Sequence, residues 1–121
     1  MARRSLAARD EQGRWDTGGG GLDFGASVED TLREEVKEEY GAEVSKVEFL
    51  GFRDVHRQPG GIPTHWIALD YKVQVDPTEV RNCEPHKFDE IGWFTFDSLP
   101  AADELHSQLP FFFENYRSQL T

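Results

Sequence analysis

The chain has 121 residues, 37% hydrophobic and 30% charged, with nine Phe, three Trp and three Tyr, which is enough for one packed domain and too little for a second. Its formal net charge of −10 repels the polyphosphate backbones that proteins grip with clustered Lys and Arg, so long nucleic acid is disfavoured as a partner. Nothing approaches the length of a membrane span, and Cys83, the one cysteine, has no internal disulfide partner, which points to a reducing compartment with the cytoplasm as the simplest assignment.

Met1 to Arg4 is basic, but no apolar run follows it. Residues 5 to 14 are polar and aperiodic, which predicts a loop before a short segment at Trp15 to Thr17. Four glycines come next, Gly18 to Gly21. Ser27 with Asp30 three residues on fits a capping box, and Gly41 fits a C-terminal cap, so a helix is expected from Val28 to about Tyr40. Val44 to Val55 alternates apolar and polar side chains with some irregularity and predicts a strand. HWIALDYKVQV, His65 to Val75, is β-branched and aromatic and predicts another, with RQPGGIP as the loop between. After a loop carrying Pro77, Cys83 and Pro85, IGWFTF at Ile91 to Phe96 predicts a third strand. Asp97 or Ser98 can cap a short helical turn near Pro100, and Pro110 suits the first turn of a last helix through Leu120. The order gives a single α/β domain over residues 1 to 121, with at least one helix against a sheet.

At about 100° of rotation per residue, Glu35 and Glu39 fall nearly in line on the first helix and Glu38 lies about 60° to one side. Val28, Leu32, Val36 and Tyr40 form an adjoining apolar stripe, while Arg33 and Lys37 project from roughly the opposite side. An acidic helix face taken alone is a solvated face. In a cleft the balance changes, because two carboxylates about 6 Å apart at an effective dielectric near 20 repel by about 3 kcal/mol, and the cluster then calls for a cation. Hard carboxylate oxygens favour Mg²⁺ or Mn²⁺. Glycines without a Cβ let backbone approach a phosphate or metal closely, although four in a row, taken alone, read as a flexible turn.

Taken together, GGGLDFGASVEDTLREEVKEEYGA aligns without gaps to the box of the Nudix hydrolase family, G-x5-E-x7-R-E-U-x-E-E-x-G-U, with Gly20 as the box glycine and Gly41 also matching. The resemblance implies that Glu35, Glu38 and Glu39 bind divalent metal and activate water, and that the Gly19 carbonyl is a backbone ligand. NCEPHKFDEIGWFTFDSLP is similar to the E-P-x-K segment, tryptophan strand and closing L-P of members that act on small nucleotides, and RDEQGRWDTGGG and HWIALDYKV resemble the approach to the box and the central strand. The implied fold is a Nudix-type α/β/α sandwich with a mixed sheet.

Two box positions depart from the pattern. The first glutamate is Ala26 and the arginine is Glu34, a pair that in the family braces the loop and orients the helix. Arg33 points about 100° away and is no substitute. The start is also short against the family, whose members carry further chain before a segment ending L-L-x-x-R-R, so the fold is expected to lack the usual N-terminal strand or strands. Either a true start upstream or another subunit would fill the gap, and the exposed edge would favour a homodimer by strand addition.

Glu84 and Glu90 are candidates for a general base outside the box, against the ordinary reading as surface carboxylates. Trp66 and Trp93 can stack on a base, though strand tryptophans are more often core. Cys83 and His86 have a C-x-x-H spacing without a second pair, so zinc is discounted, and nothing links Cys83 to an ordered base. The reading that best fits is Mg²⁺-dependent cleavage of the pyrophosphate bond of a small nucleotide, a nucleoside triphosphate or a nucleoside diphosphate linked to another group. Ala26 and Glu34 keep open a second, a Nudix-like domain that binds nucleotide or a protein without turning it over. A third, an acidic interaction module without metal, lacks any such motif.

Overall fold

In the computed structural model, which describes residues 1–120, the first helix ends where its caps place it. α1 runs Val28–Tyr40; the Ser27 hydroxyl accepts from the Asp30 N–H at 3.0 Å, and Gly41 adopts φ +70° with its N–H donating to the Lys37 carbonyl at 2.9 Å. Both contacts satisfy backbone groups that a helix end leaves unpaired.

β3 (Val44–Arg57) and β4 (Thr64–Val75) pair as a long antiparallel hairpin. The irregularity legible in the sequence is two register shifts, the first leaving Ser45 and the second, between Phe49 and Gly51, leaving Leu50 without an opposite residue. The extra residue brings Phe49 and Phe52, three apart, onto the same face. That face carries Val47, Phe49 and Phe52 opposite Val73, Tyr71 and Leu69, and the other carries Gly51, Arg53 and Val55 opposite Asp70, Ala68 and Trp66.

α2 (Leu109–Leu120) lies on the second face. A Cβ on Gly51 would sit 2.8 Å from the Tyr116 hydroxyl, so glycine is what admits the helix so closely. The Arg53 guanidinium stacks 5.5 Å over Phe112 and grips Asp70 with two hydrogen bonds, 2.6 and 3.0 Å. Lys72 Nζ donates to the Gln119 carbonyl at 2.7 Å.

The remaining strands form a second antiparallel sheet in the order β2 (Trp15–Asp16), β1 (Ala2–Arg4), β5 (Phe88–Ile91). The basic start is thus a strand, with Ala2 buried. The expected strand at Ile91–Phe96 begins earlier, at Phe88, and leaves the sheet after Ile91. Past that point Phe94 meets Trp15 edge to face at 5.0 Å, so the apolar run serves packing rather than pairing. The helical turn expected near Pro100 is a 3₁₀ turn at Ala102–Glu104. Among the described residues the strands pair antiparallel, the parallel element being a lone bridge between Trp15 and Leu105.

The core is thin. Ala2, Ala8, Ala42, Val44, Val55, Phe88, Leu105, Leu109 and Tyr116 are its buried apolar members, and no large side chain among the described residues is completely buried. Polar ties supplement it across the loop of residues 5–14: Asp10 bonds Arg4 and Arg57, while Glu11 accepts from the Ser107 N–H and approaches His106 Nε2 at 2.6 Å.

Candidate active site

The glycine run lies against the carboxylate face of α1. A Cβ on Gly20 would stand 2.3 Å from the Glu35 carboxyl carbon, and one on Gly18 would stand 2.5 Å from Glu39 Oε2. Tyr40 fastens the loop, its hydroxyl donating to the Thr17 carbonyl at 3.1 Å. At the same C-terminal end of the helix the Arg81 and Cys83 N–H groups donate to the carbonyls of Tyr40 and Glu39, at 2.9 and 3.1 Å. Those two bonds satisfy late helix carbonyls and bring the next residue, Glu84, beside α1. Asn82 completes the loop, accepting from the Glu84 N–H and donating to the Phe88 carbonyl.

Electrostatically the cluster is undercompensated. Glu39 is 3% exposed and its Oε2 is buried with no hydrogen-bond partner. Burial pushes its carboxyl up to about 7; Lys87 pulls the other way, Glu35 and Glu84 add to the rise, and the Gly19 backbone N–H subtracts from it. Glu38 is exposed, yet partial loss of hydration and the charges of Glu35, Glu34 and Glu84 raise it as well, Glu34 also reaching it as a hydrogen-bonding neighbour. Lys87 lies 3.3 Å from Glu84 Oε2 and is the cation nearest this group. The donors are all hard oxygens, the kind that suits a divalent cation such as Mg²⁺. Among the described residues no three acidic, His or Cys side chains converge on one point.

The structure thus makes Gly19, Glu35, Glu38, Glu39 and Glu84 neighbours without bringing three of their carboxylates to a single point. Glu90 is elsewhere: it pairs in register with Arg3 and forms a 3.2 Å ion pair with it. Trp66 and Trp93 are both 64% exposed. Trp66 lies on the α2 side of the hairpin, and Trp93 borders a groove with Lys46, Glu48, Lys72 and Val73 that contains none of the box glutamates. Arg33 bonds Glu29 and the Val44 carbonyl, and so does not stand in for the missing box arginine. Two contributors were not singled out from sequence: Lys87, signalled only by the E-P-x-K likeness, and the Tyr40 hydroxyl, hidden in the apolar stripe.

A small α/β frame presenting a capped glutamate helix to a glycine loop defines a class of domain rather than a single protein. The sequence matches the NUDIX domain profile over residues 1–115. It is 33% identical over 106 residues to the oxidized purine nucleoside triphosphate hydrolase of Mus musculus, covering 85% of this chain and 60% of that protein. It is 32% identical over 97 residues to the nucleoside triphosphatase NudI of Enterobacter sp. (strain 638), covering 75% and 68%. The fold superposes on the crystal structure of a MutT NUDIX hydrolase from Burkholderia pseudomallei with a TM-score of 0.80 and 28% identity, over 94% of this chain and 84% of that one. The chain belongs to the NUDIX family, and it spans well under two thirds of the mouse relative's length.

Proposed function

We propose that this chain hydrolyses the pyrophosphate bond of a small nucleotide, a nucleoside triphosphate or a nucleoside diphosphate linked to another group, with Mg²⁺ as cofactor and Mn²⁺ as a substitute. The observation that carries this reading is Glu39, buried with an unpartnered oxygen against the glycine loop and beside Glu35 and Glu84. Glu35, Glu38, Glu39 and the Gly19 carbonyl would hold the ion, which when bound offsets phosphate charge and makes water more acidic. Water adds to one phosphorus of the bridge, the bond from that phosphorus to the bridging oxygen breaks, and the released phosphate carries the electron pair. The water's proton passes to a carboxylate, for which Glu84, beside the cluster, is the candidate. Both relatives are named as nucleoside triphosphate hydrolases, which supports the substrate class. The lone Cys83 supports the cytoplasm as the compartment, and no described helix is long and apolar enough to cross a membrane.

A nucleotide panel with Mg²⁺, assayed for phosphate, pyrophosphate and nucleoside monophosphate, tests the reading against Glu39→Gln. The variant should lose about 100-fold or more of the activity. Equal release by both proteins would sink the proposed glutamate chemistry, and none by either with nucleotide still bound would leave the binding-only reading favoured by Ala26 and by Glu34 crowding Glu38.

A further inference from the structure

The two faces of the β3–β4 hairpin are treated differently. Packing of α2 covers one, through Tyr116 at Gly51 and Phe112 at Arg53. On the other, Val44 at the near end is buried, its carbonyl bonded by Arg33 of α1. Beyond it Phe49, Phe52, Ile67 and Leu69 are 55%, 64%, 64% and 46% exposed. At about 200 Å² per large side chain, these four leave about 450 Å² of apolar surface in water on one strand pair. Two such faces, with the flanking Val47, Tyr71 and Val73, bring together about 1,000 Å², the minimum for a specific protein interface.

We infer that a second copy of this chain covers this face, the two hairpins meeting face to face about a twofold axis near the Phe52–Leu69 pair. Charge favours this surface over the rest. The chain carries −10 overall, yet the only carboxylate on this face of the hairpin is Asp54, which bonds His65 Nε2 at 2.7 Å. Glu48 and Asp70 point to the opposite face, where Arg53 neutralises Asp70. Two acidic molecules therefore approach here with the least repulsion, and a twofold contact lets each apolar pair meet its own copy. This differs from strand addition at an edge, which would lengthen the sheet and leave the four side chains in water.

Sedimentation of the full chain across a wide concentration range tests the inference with Phe52→Glu/Ile67→Glu, and with Trp66→Glu as a control on the α2 side. Wild type and control should form a defined dimer, and the double variant should associate about 100-fold more weakly with an unchanged circular dichroism spectrum. A monomeric wild type, ill-defined aggregation that an added apolar strand peptide disperses, or a dimer equally tight in the double variant overturns it. Should the double variant not fold, hydrogen exchange on the wild type decides: uptake across 65–71 falls with rising concentration if this face is the interface, and protection confined to other segments refutes it.

Discussion

At the glycine loop, carboxylates crowd together with too little positive charge, whereas on the bare hairpin face large apolar side chains stand in water with too little to touch. The first imbalance is electrostatic, is visible as carboxyl groups raised above their ordinary range, and on the proposed function would be relieved by one small ion. The second grows with area, is visible as exposure, and is relieved only by another surface. Under α2 the contrast is a face where Arg53 pairs with Asp70 and Phe112 and Tyr116 pack on the strands. That covered face is the reference for the other two.

Breaking the covered face should have the largest effect. Arg53→Met leaves Asp70, 7% exposed, as a buried charge without its partner, and removing one member of such a pair costs about 3–5 kcal/mol. Urea unfolding should show that loss, and Arg53→Met/Asp70→Leu should recover most of it. A loss below about 1 kcal/mol would mean that α2 does not seal this face.

The charged region makes a prediction of similar size with pH as the variable. Folding raises the Glu39 carboxyl from 4.5 to about 7, so the folded chain binds this proton more tightly than the unfolded chain does. The resulting stability is complete below about pH 4.5 and is lost as pH rises through about 7, a change of about 3 kcal/mol without metal. Unfolding midpoints at about pH 5 and about pH 8, each compared with Glu39→Gln, isolate the contribution. Mg²⁺ should return part of the stability at the higher pH, and identical pH profiles for the two proteins would remove Glu39 from the account.

Gly20→Ala separates the metal role from folding. Its Cβ would fall 2.3 Å from the Glu35 carboxyl, but that carboxyl is the end of a flexible side chain and can swing away. Stability should change by less than about 1 kcal/mol while Mg²⁺ affinity by calorimetry falls about 10-fold. An unaltered affinity would place Glu35 outside the ion's shell.

How far the sequence led differs between the same regions. The helix was legible to its caps because Ser27 and Gly41 act within one turn, and the carboxylates were legible because three residues at fixed angles share a face. The hairpin was legible as strands but not as faces: a single bulged residue, Leu50, decides which side Phe52 takes, and alternation does not locate a bulge. Glu84 and Glu90 looked equivalent in sequence. Two helix carbonyls that needed donors drew the 81–84 loop to α1, while an arginine across the sheet took Glu90.

The smallest effect concerns the absent bracing pair. Ala26→Glu/Glu34→Arg would restore an exposed ion pair, ordinarily worth about 0.2–1 kcal/mol, and would relieve Glu38 of one like charge. The loop and the last turn of the helix are already tied, by Tyr40 to Thr17 and by Arg81 and Cys83 to the last carbonyls. The double variant should therefore raise hydrolysis by no more than about 3-fold at saturating Mg²⁺, the rate equivalent of about 0.6 kcal/mol. A rise of tenfold or more would mean that those ties do not hold the carboxylates in line and that the native chain works with a loosely aimed helix.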